Sequence, residues 1–144
     1  MGRLEPVHYA NAPADVRISE PAGGVFRSVV RGRATAGAAG AIIAFAEHMI
    51  AGGRRLLVFH DWENVSGYDA DARKLLTEWS GRITPYWDGS HILFSSPLIA
   101  MAVAVASLSL RGKITTYSSR TSFERNLTTA CSERGVALDV KAAR

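Results

Sequence analysis

Apolar residues along this chain fall into two patterns, short unbroken runs and longer stretches in which they recur every three or four positions. The first suits strands covered on both faces, and the second suits helices that bury one stripe. Leu56-Leu57-Val58-Phe59 is the clearest run. His60, Asp61, Glu63 and Asn64 follow it abruptly, Ser66-Gly67 is turn material, and Asp69 stands at an N-cap position ahead of Ala72-Arg73-Lys74-Leu75-Leu76. The segment therefore reads as a buried strand, a polar turn and a helix that opens on two acids. Asp69 would accept from the unpartnered first-turn N–H groups, and Asp71 would gain from the helix dipole.

The same two patterns divide the rest of the chain. Val25 to Arg33 is rich in β-branched and aromatic residues and follows Gly23-Gly24, which predicts a strand with Arg27, Arg31 and Arg33 reaching solvent. Thr35 then caps a helix carrying Ile42, Ile43, Phe45, Ala46 and Ile50, which Gly52-Gly53 ends. A turn is expected at Trp87-Asp88-Gly89-Ser90 and a strand at His91 to Phe94. Ser96-Pro97 opens a helix running to Arg111 and Gly112. Lys113 to Tyr117 alternates as a strand, and Thr121 or Ser122 caps a last helix that stops near Gly135. Four β-α alternations with short loops predict an α/β domain: a four- to five-stranded, mostly parallel sheet with about four helices. Residues 1–22, rich in Ala and Pro, read as a loosely held arm whose Val16-Arg17-Ile18 could add an edge strand. The single domain is expected over 23–136, with 137–144 as a tail.

A chain of 144 residues can bury a core without metal or disulfide staples. The lone Cys131 cannot pair within the chain and lies beside no obvious base. Together with an N-terminus lacking a charged-then-apolar signal, it points to a cytoplasmic setting. The most apolar segment, Pro97 to Leu110, is too short and too interrupted by Ser107 and Ser109 to span a bilayer. The net charge of +4 comes from basic residues spread over both ends, which argues against a nucleic-acid surface. Acids are less even. Asp61, Glu63, Asp69, Asp71, Glu78 and Asp88 are 6 of the 13, so the central segment reads as an acidic patch on a basic protein.

Asp61, Val65 and Asp69, four residues apart between a strand and a helix, resemble the STAS domain, the family of sulphate transporters and anti-sigma factor antagonists. The order of elements from Val25 to Arg134 and the stretches Ser95-Ser96-Pro97 and Ser118 to Phe123 are similar to it as well. The resemblance implies a STAS-like fold and a non-catalytic regulatory module that binds a protein partner. In the antagonist branch the residue after the second Asp is a Ser that a partner kinase phosphorylates. Here it is Ala70, so that switch has no hydroxyl to act on, and Ser66, Ser95, Ser96 and Ser118 are the alternatives by location.

Three functions are compatible with these residues. A protein-partner surface would use Asp61, Trp62, Glu63, Ser66, Tyr68, Asp69, Ala70, Asp71 and Arg73, with Trp62 as an exposed aromatic anchor. A small-molecule or lipid site would lie beneath the helix after Pro97, whose run from Ala100 to Ala106 is apolar nearly all round. Its candidates are Pro97, Ile99, Met101 and Val105, and the same small side chains would equally suit a homodimer. An enzyme would have to use His60, Asp61, Glu63 and Asp69, the one concentration of acid-base groups. Along a strand, however, only Asp61 and Glu63 would share a side. Neither a cofactor nor a metal is expected, since no phosphate-binding glycine loop, dinucleotide fingerprint or nucleophile elbow is present.

Overall fold

The structure is a computed structural model that describes residues 2–97, 99–101, 104 and 113–142. Its elements are β1 (Val7–Asn11), β2 (Ala14–Ala22), β3 (Val25–Ala34), α1 (Ala36–Ala51), β4 (Leu56–Tyr68), α2 (Ala70–Ile83), β5 (Trp87–Phe94), β6 (Ile114–Tyr117) and α3 (Arg120–Ala142). A 3-10 turn, Thr84–Tyr86, separates α2 from β5. Residues 97, 99–101 and 104 are helical, and the rest of the helix expected after Pro97 lies outside the described residues. The six strands form one sheet in sequence order. β1, β2 and β3 are antiparallel neighbours, and β3 through β6 are parallel.

Strand alternation sorts the core into two layers. Val16, Ile18, Phe26, Val30, Leu56, Val58 and Ile92 face α1 and α2, where they meet Ile42, Phe45, Met49, Trp79 and Ile83. Val25, Phe59 and Leu93 face the opposite way and meet Phe123 and Ala130 of α3. Helices thus cover both faces of the parallel half, as a sheet buried on both sides requires. Thr35 caps α1 as expected, its hydroxyl accepting from Ala38 N at 3.2 Å, and Gly52 closes the helix.

Several boundaries differ from expectation. The first 22 residues are not a loose arm: they carry β1 and β2, and β2 lies inside the sheet. Glu20 holds this part down, buried at 3 % exposure, where it accepts from Leu4 N at 2.9 Å and Gly24 N at 3.0 Å and pairs with Arg54. Gly24, at φ +79°, leaves no room for a Cβ, which would stand 2.6 Å from the Arg55 carbonyl. Trp87 to Ser90 is strand rather than turn. Asp88 is a bulge residue there, since Leu56 pairs with Trp87 and Leu57 with Gly89. Ser119, not Thr121 or Ser122, precedes the last helix, accepting from Ser122 N through its hydroxyl. That helix continues past Gly135 through the expected tail to Ala142. Arg27 is half-buried rather than in solvent, and its Nε is buried without a partner among the described residues.

The largest departure is β4. The expected polar turn from His60 through Ser66-Gly67 does not form, and the strand runs unbroken for 13 residues. Its backbone has ladder partners on β3 as far as Tyr68 and on β5 as far as Trp62. The buried polar side chains stay in the sheet because each finds a partner across the fold, Ser28 for His60 and Arg120 for Asp61.

Candidate functional site

Between the sheet and helices α1 and α2 lies a cavity of about 260 Å³. Its sheet wall is Val30, His60, Trp62, Val65, Tyr68 and Ile92, and Ile99 reaches it from the helical segment after Pro97. From α1 come Ala38, Ala39 and Ile42, and from α2 come Ala72, Arg73, Leu76, Trp79 and Ile83. Side-chain size contributes to the space, since the small residues Ala38 and Ala39 of α1 and Ala72 of α2 line it opposite the larger side chains of β4.

His60 is the polar centre of this wall. It is 5 % exposed and stacked on Trp62, with ring centroids 4.4 Å apart, and the edge of Phe26 closes its other side at 5.8 Å. Burial pushes its pKa down to about 3, so the ring is neutral at pH 7. Its Nδ1 lies 2.6 Å from the hydroxyl of Ser28, which is fully buried on β3. Trp62 Nε1 donates to the same hydroxyl at 3.3 Å. An indole can only donate, so the Ser28 oxygen accepts from Trp62, which leaves it one proton and a second lone pair for Nδ1. The Nε2 nitrogen of the imidazole has no hydrogen-bond partner among the described residues. Trp79 Nε1 is a buried donor without one.

The opposite face of β4 carries different chemistry. Asp61, 4 % exposed, receives two bonds from Arg120, each at 2.9 Å. Arg120 also donates to Glu63 at 3.2 Å and to Glu124 at 2.9 Å. These carboxylates, Asp61 foremost, raise the guanidinium pKa above its ordinary value. Asp61 and Glu63 do share a side, but it is the α3 side, away from His60.

The residues expected to act together are consequently separated. His60, Trp62, Val65 and Tyr68 face the cavity, whereas Asp61 and Glu63 bind α3. Asp69 stands at the N-cap position of α2 but makes no side-chain cap; it binds Arg33, which also donates to the Tyr68 carbonyl at 3.0 Å. Ser66, Ala70, Asp71 and Arg73 are exposed, while Trp62 is half-buried rather than a free anchor. The four groups proposed for acid-base chemistry do not converge. Of the cavity candidates, Ile99 is buried and lines the site, Pro97 and Met101 are exposed, and Val105 lies outside the described residues. The reading from sequence missed Ser28, Ala38, Ala39, Ala72 and Trp79 as site residues. Ser28 left one signal, a lone hydroxyl between Phe26 and Val30 on the core-facing side of a strand. Among the described residues, no cluster of three His, Cys, Asp or Glu is placed to hold a metal, and no helix is long and apolar enough to cross a membrane.

No family model and no curated protein sequence matches the chain. Solved structures do. One is an uncharacterized DUF3478-family protein with a SpoIIAA-like fold from Shewanella loihica, 11 % identical, with a TM-score of 0.58 over 84 % of this chain and 90 % of that one. At that identity the likeness speaks for the fold. The six-stranded mixed sheet with helices on both faces is a SpoIIAA-like, and hence STAS-like, α/β fold, with one or two more strands than the sequence led us to expect.

Proposed function

We propose that this protein is a non-catalytic STAS-like module that binds a small, mostly apolar molecule between α1, α2 and β4. The cavity carries this reading. About 260 Å³ walled mostly by aromatic and aliphatic side chains, with His60, Arg73, Thr77, Ser80, Thr84 and Ser90 as its polar members, is the composition of a small-ligand site, in which a few polar groups orient an otherwise apolar guest. A tightly packed core holds few voids larger than a water molecule. The acid-base alternative loses support because His60 is separated from Asp61 and Glu63 by the thickness of the sheet.

A protein-partner role draws on α2, whose Ala70, Asp71 and Arg73 are exposed while its Ala72, Trp79 and Ile83 form the cavity wall. One helix thus has both the ligand and the solvent against it, which is how occupancy would be read by a partner. The acidic patch itself gives less: Asp61 and Glu63 are bound to Arg120, and Asp69 to Arg33.

Native and denaturing mass spectra of the purified protein, recorded side by side, test the reading. A small mass retained natively and lost on denaturation is expected. A bare protein that also shows no change in tryptophan fluorescence with small aromatic probes would overturn it.

A further inference from the structure

The cavity walls also constrain the kind of molecule that can enter. Given the ligand-binding role, on which this assignment rests, we infer that the ligand is a small organic acid: an apolar, ring-sized body inside, a carboxylate at Arg73, and a neutral oxygen acceptor at His60 Nε2.

Size sets the first limit. A cavity of roughly 150 Å³ holds one benzene, so about 260 Å³ admits a ring with a short chain but not a long acyl lipid. His60 sets the second. Its Nδ1 is engaged by Ser28, which leaves Nε2 without a partner among the described residues, on a ring more than nine-tenths buried in the cavity wall. We take the tautomer in which the Ser28 proton goes to Nδ1, so that Nε2 carries the hydrogen and a ligand atom that meets it must accept. The imidazole carries no charge, so a carboxylate at that depth would be desolvated without a counter-ion, and a carbonyl or ether oxygen is the better match.

Arg73 sets the third. It lines the cavity and is also exposed, which places it where the cavity opens. Arg33, Arg55, Arg120 and Arg134 each hold a carboxylate, whereas Arg73 holds none among the described residues. A guanidinium binds a carboxylate through paired donors, which gives direction as well as charge. The nearby acids do not compete for it. Asp69 is turned to Arg33, and Asp71 is two residues away along α2, a spacing that does not face it. With Asp69 diverted, the first turn of α2 also has no side-chain cap, which adds positive potential beside Arg73.

Three probes of one shape separate these contributions: 4-phenylbutyrate, its neutral amide, and 4-oxo-4-phenylbutyrate, each titrated against the full chain by tryptophan fluorescence. The acid should bind roughly tenfold or more tightly than the amide, as expected for a hydrogen bond to a charged group, and Arg73→Met should abolish that difference without weakening the amide. Arg73 is exposed, so this variant folds. The oxo acid should bind more tightly still and shift the His60 Nε2 nitrogen resonance, which 4-phenylbutyrate leaves in place. Equal binding of acid and amide, or acid binding unaltered in Arg73→Met, overturns the acid assignment while the cavity reading stands. An unmoved Nε2 resonance with the oxo acid overturns the His60 contact. Failure of all three probes, amide included, removes the cavity reading as well.

Discussion

Acidification should destabilise this protein well before its carboxylates titrate, and His60 is the reason. Burial holds its folded pKa at about 3, against an ordinary value of 6.5. Below about pH 6.5 the unfolded chain takes up a proton that the folded chain refuses, so the stability this neutral ring supports is complete above that value and falls as pH drops towards 3. The slope is about 1.4 kcal/mol per pH unit, which amounts to about 2 kcal/mol between roughly pH 7.5 and pH 5. Burial lowers the His91 pKa as well and adds a share of the same sign. A hydrogen bond from His8 holds Asp15 below 3.8, and at Asp88 burial pushes upward but the bonds from Arg55 and Arg134 together outweigh it, so the contributions of both carboxylates are lost only at lower pH. Urea unfolding followed by tryptophan fluorescence at both pH values measures the loss, with His60→Gln and His91→Gln as controls. His60→Gln should lower stability at neutral pH and remove about 2 kcal/mol of the pH dependence. The slope is the readout, because the offset also contains repacking. A His60→Gln protein that keeps the wild-type slope would show that the imidazole takes up its proton in the fold as readily as in the unfolded chain, and the claim that burial keeps it neutral at pH 5 would fall.

Arg120→Met should cost about 2–3 kcal/mol in the same assay, less than a fully buried pair because its side chain is 38 % exposed. Adding Asp61→Asn should restore more than half of that loss; a single variant within about 0.5 kcal/mol of wild type would make the pair no more than a surface contact. Ala38→Leu, which projects into the cavity from α1, should stabilise by about 1 kcal/mol if the space is open, and should weaken probe binding. A loss of about 1–3 kcal/mol instead would mean overpacking and a site smaller than it looks. Thr35→Ala should cost about 1 kcal/mol through the α1 cap, with no effect on probe binding.

What could be read from sequence was whatever the local pattern decides. The run Val25 to Arg33, the Thr35 cap, the Gly52 stop and the strand at 114–117 need only neighbouring residues, and each is found within a residue or two of its expected place. The polar half of β4 is another matter. His60 is kept in the sheet by Ser28, 32 positions earlier, and Asp61 by Arg120, 59 positions later. Neither partner is visible in any local window, so the rule that polar residues end a buried strand was applied where tertiary pairing overrides it. β2 was hidden the same way. Ala14, Val16 and Ile18 alternate correctly, but the next core-facing residue is Glu20, whose burial depends on Leu4, Gly24 and Arg54. The site was legible in part. The segment from His60 to Arg73 does border the cavity, yet the alanines that make room for a ligand look like ordinary helix residues.

The alternation of β4 explains why one acidic-looking stretch gave three competing functions. In a strand, neighbours in sequence are opposites in space. His60 and Trp62 belong to the cavity wall between the sheet and α2, while Asp61 and Glu63 belong to an ion-paired seam that binds α3. Counting charges along the chain merges these into one patch, whereas the fold divides them by the thickness of the sheet. The two sides also have different relations to change. On the α3 side, every carboxylate of the seam is held by Arg120, so a modification there breaks contacts and exposes a buried charge. On the α2 side, Nε2 of His60 is unpartnered among the described residues and has the cavity beside it. A ligand entering there would replace no protein hydrogen bond and would satisfy one that the chain leaves open. Its binding energy would accrue to α2, the helix that also presents Ala70, Asp71 and Arg73 to solvent. Regulation in this protein would then run through what lies beneath α2 rather than through a phosphate added at its start, where Ala70 offers no hydroxyl.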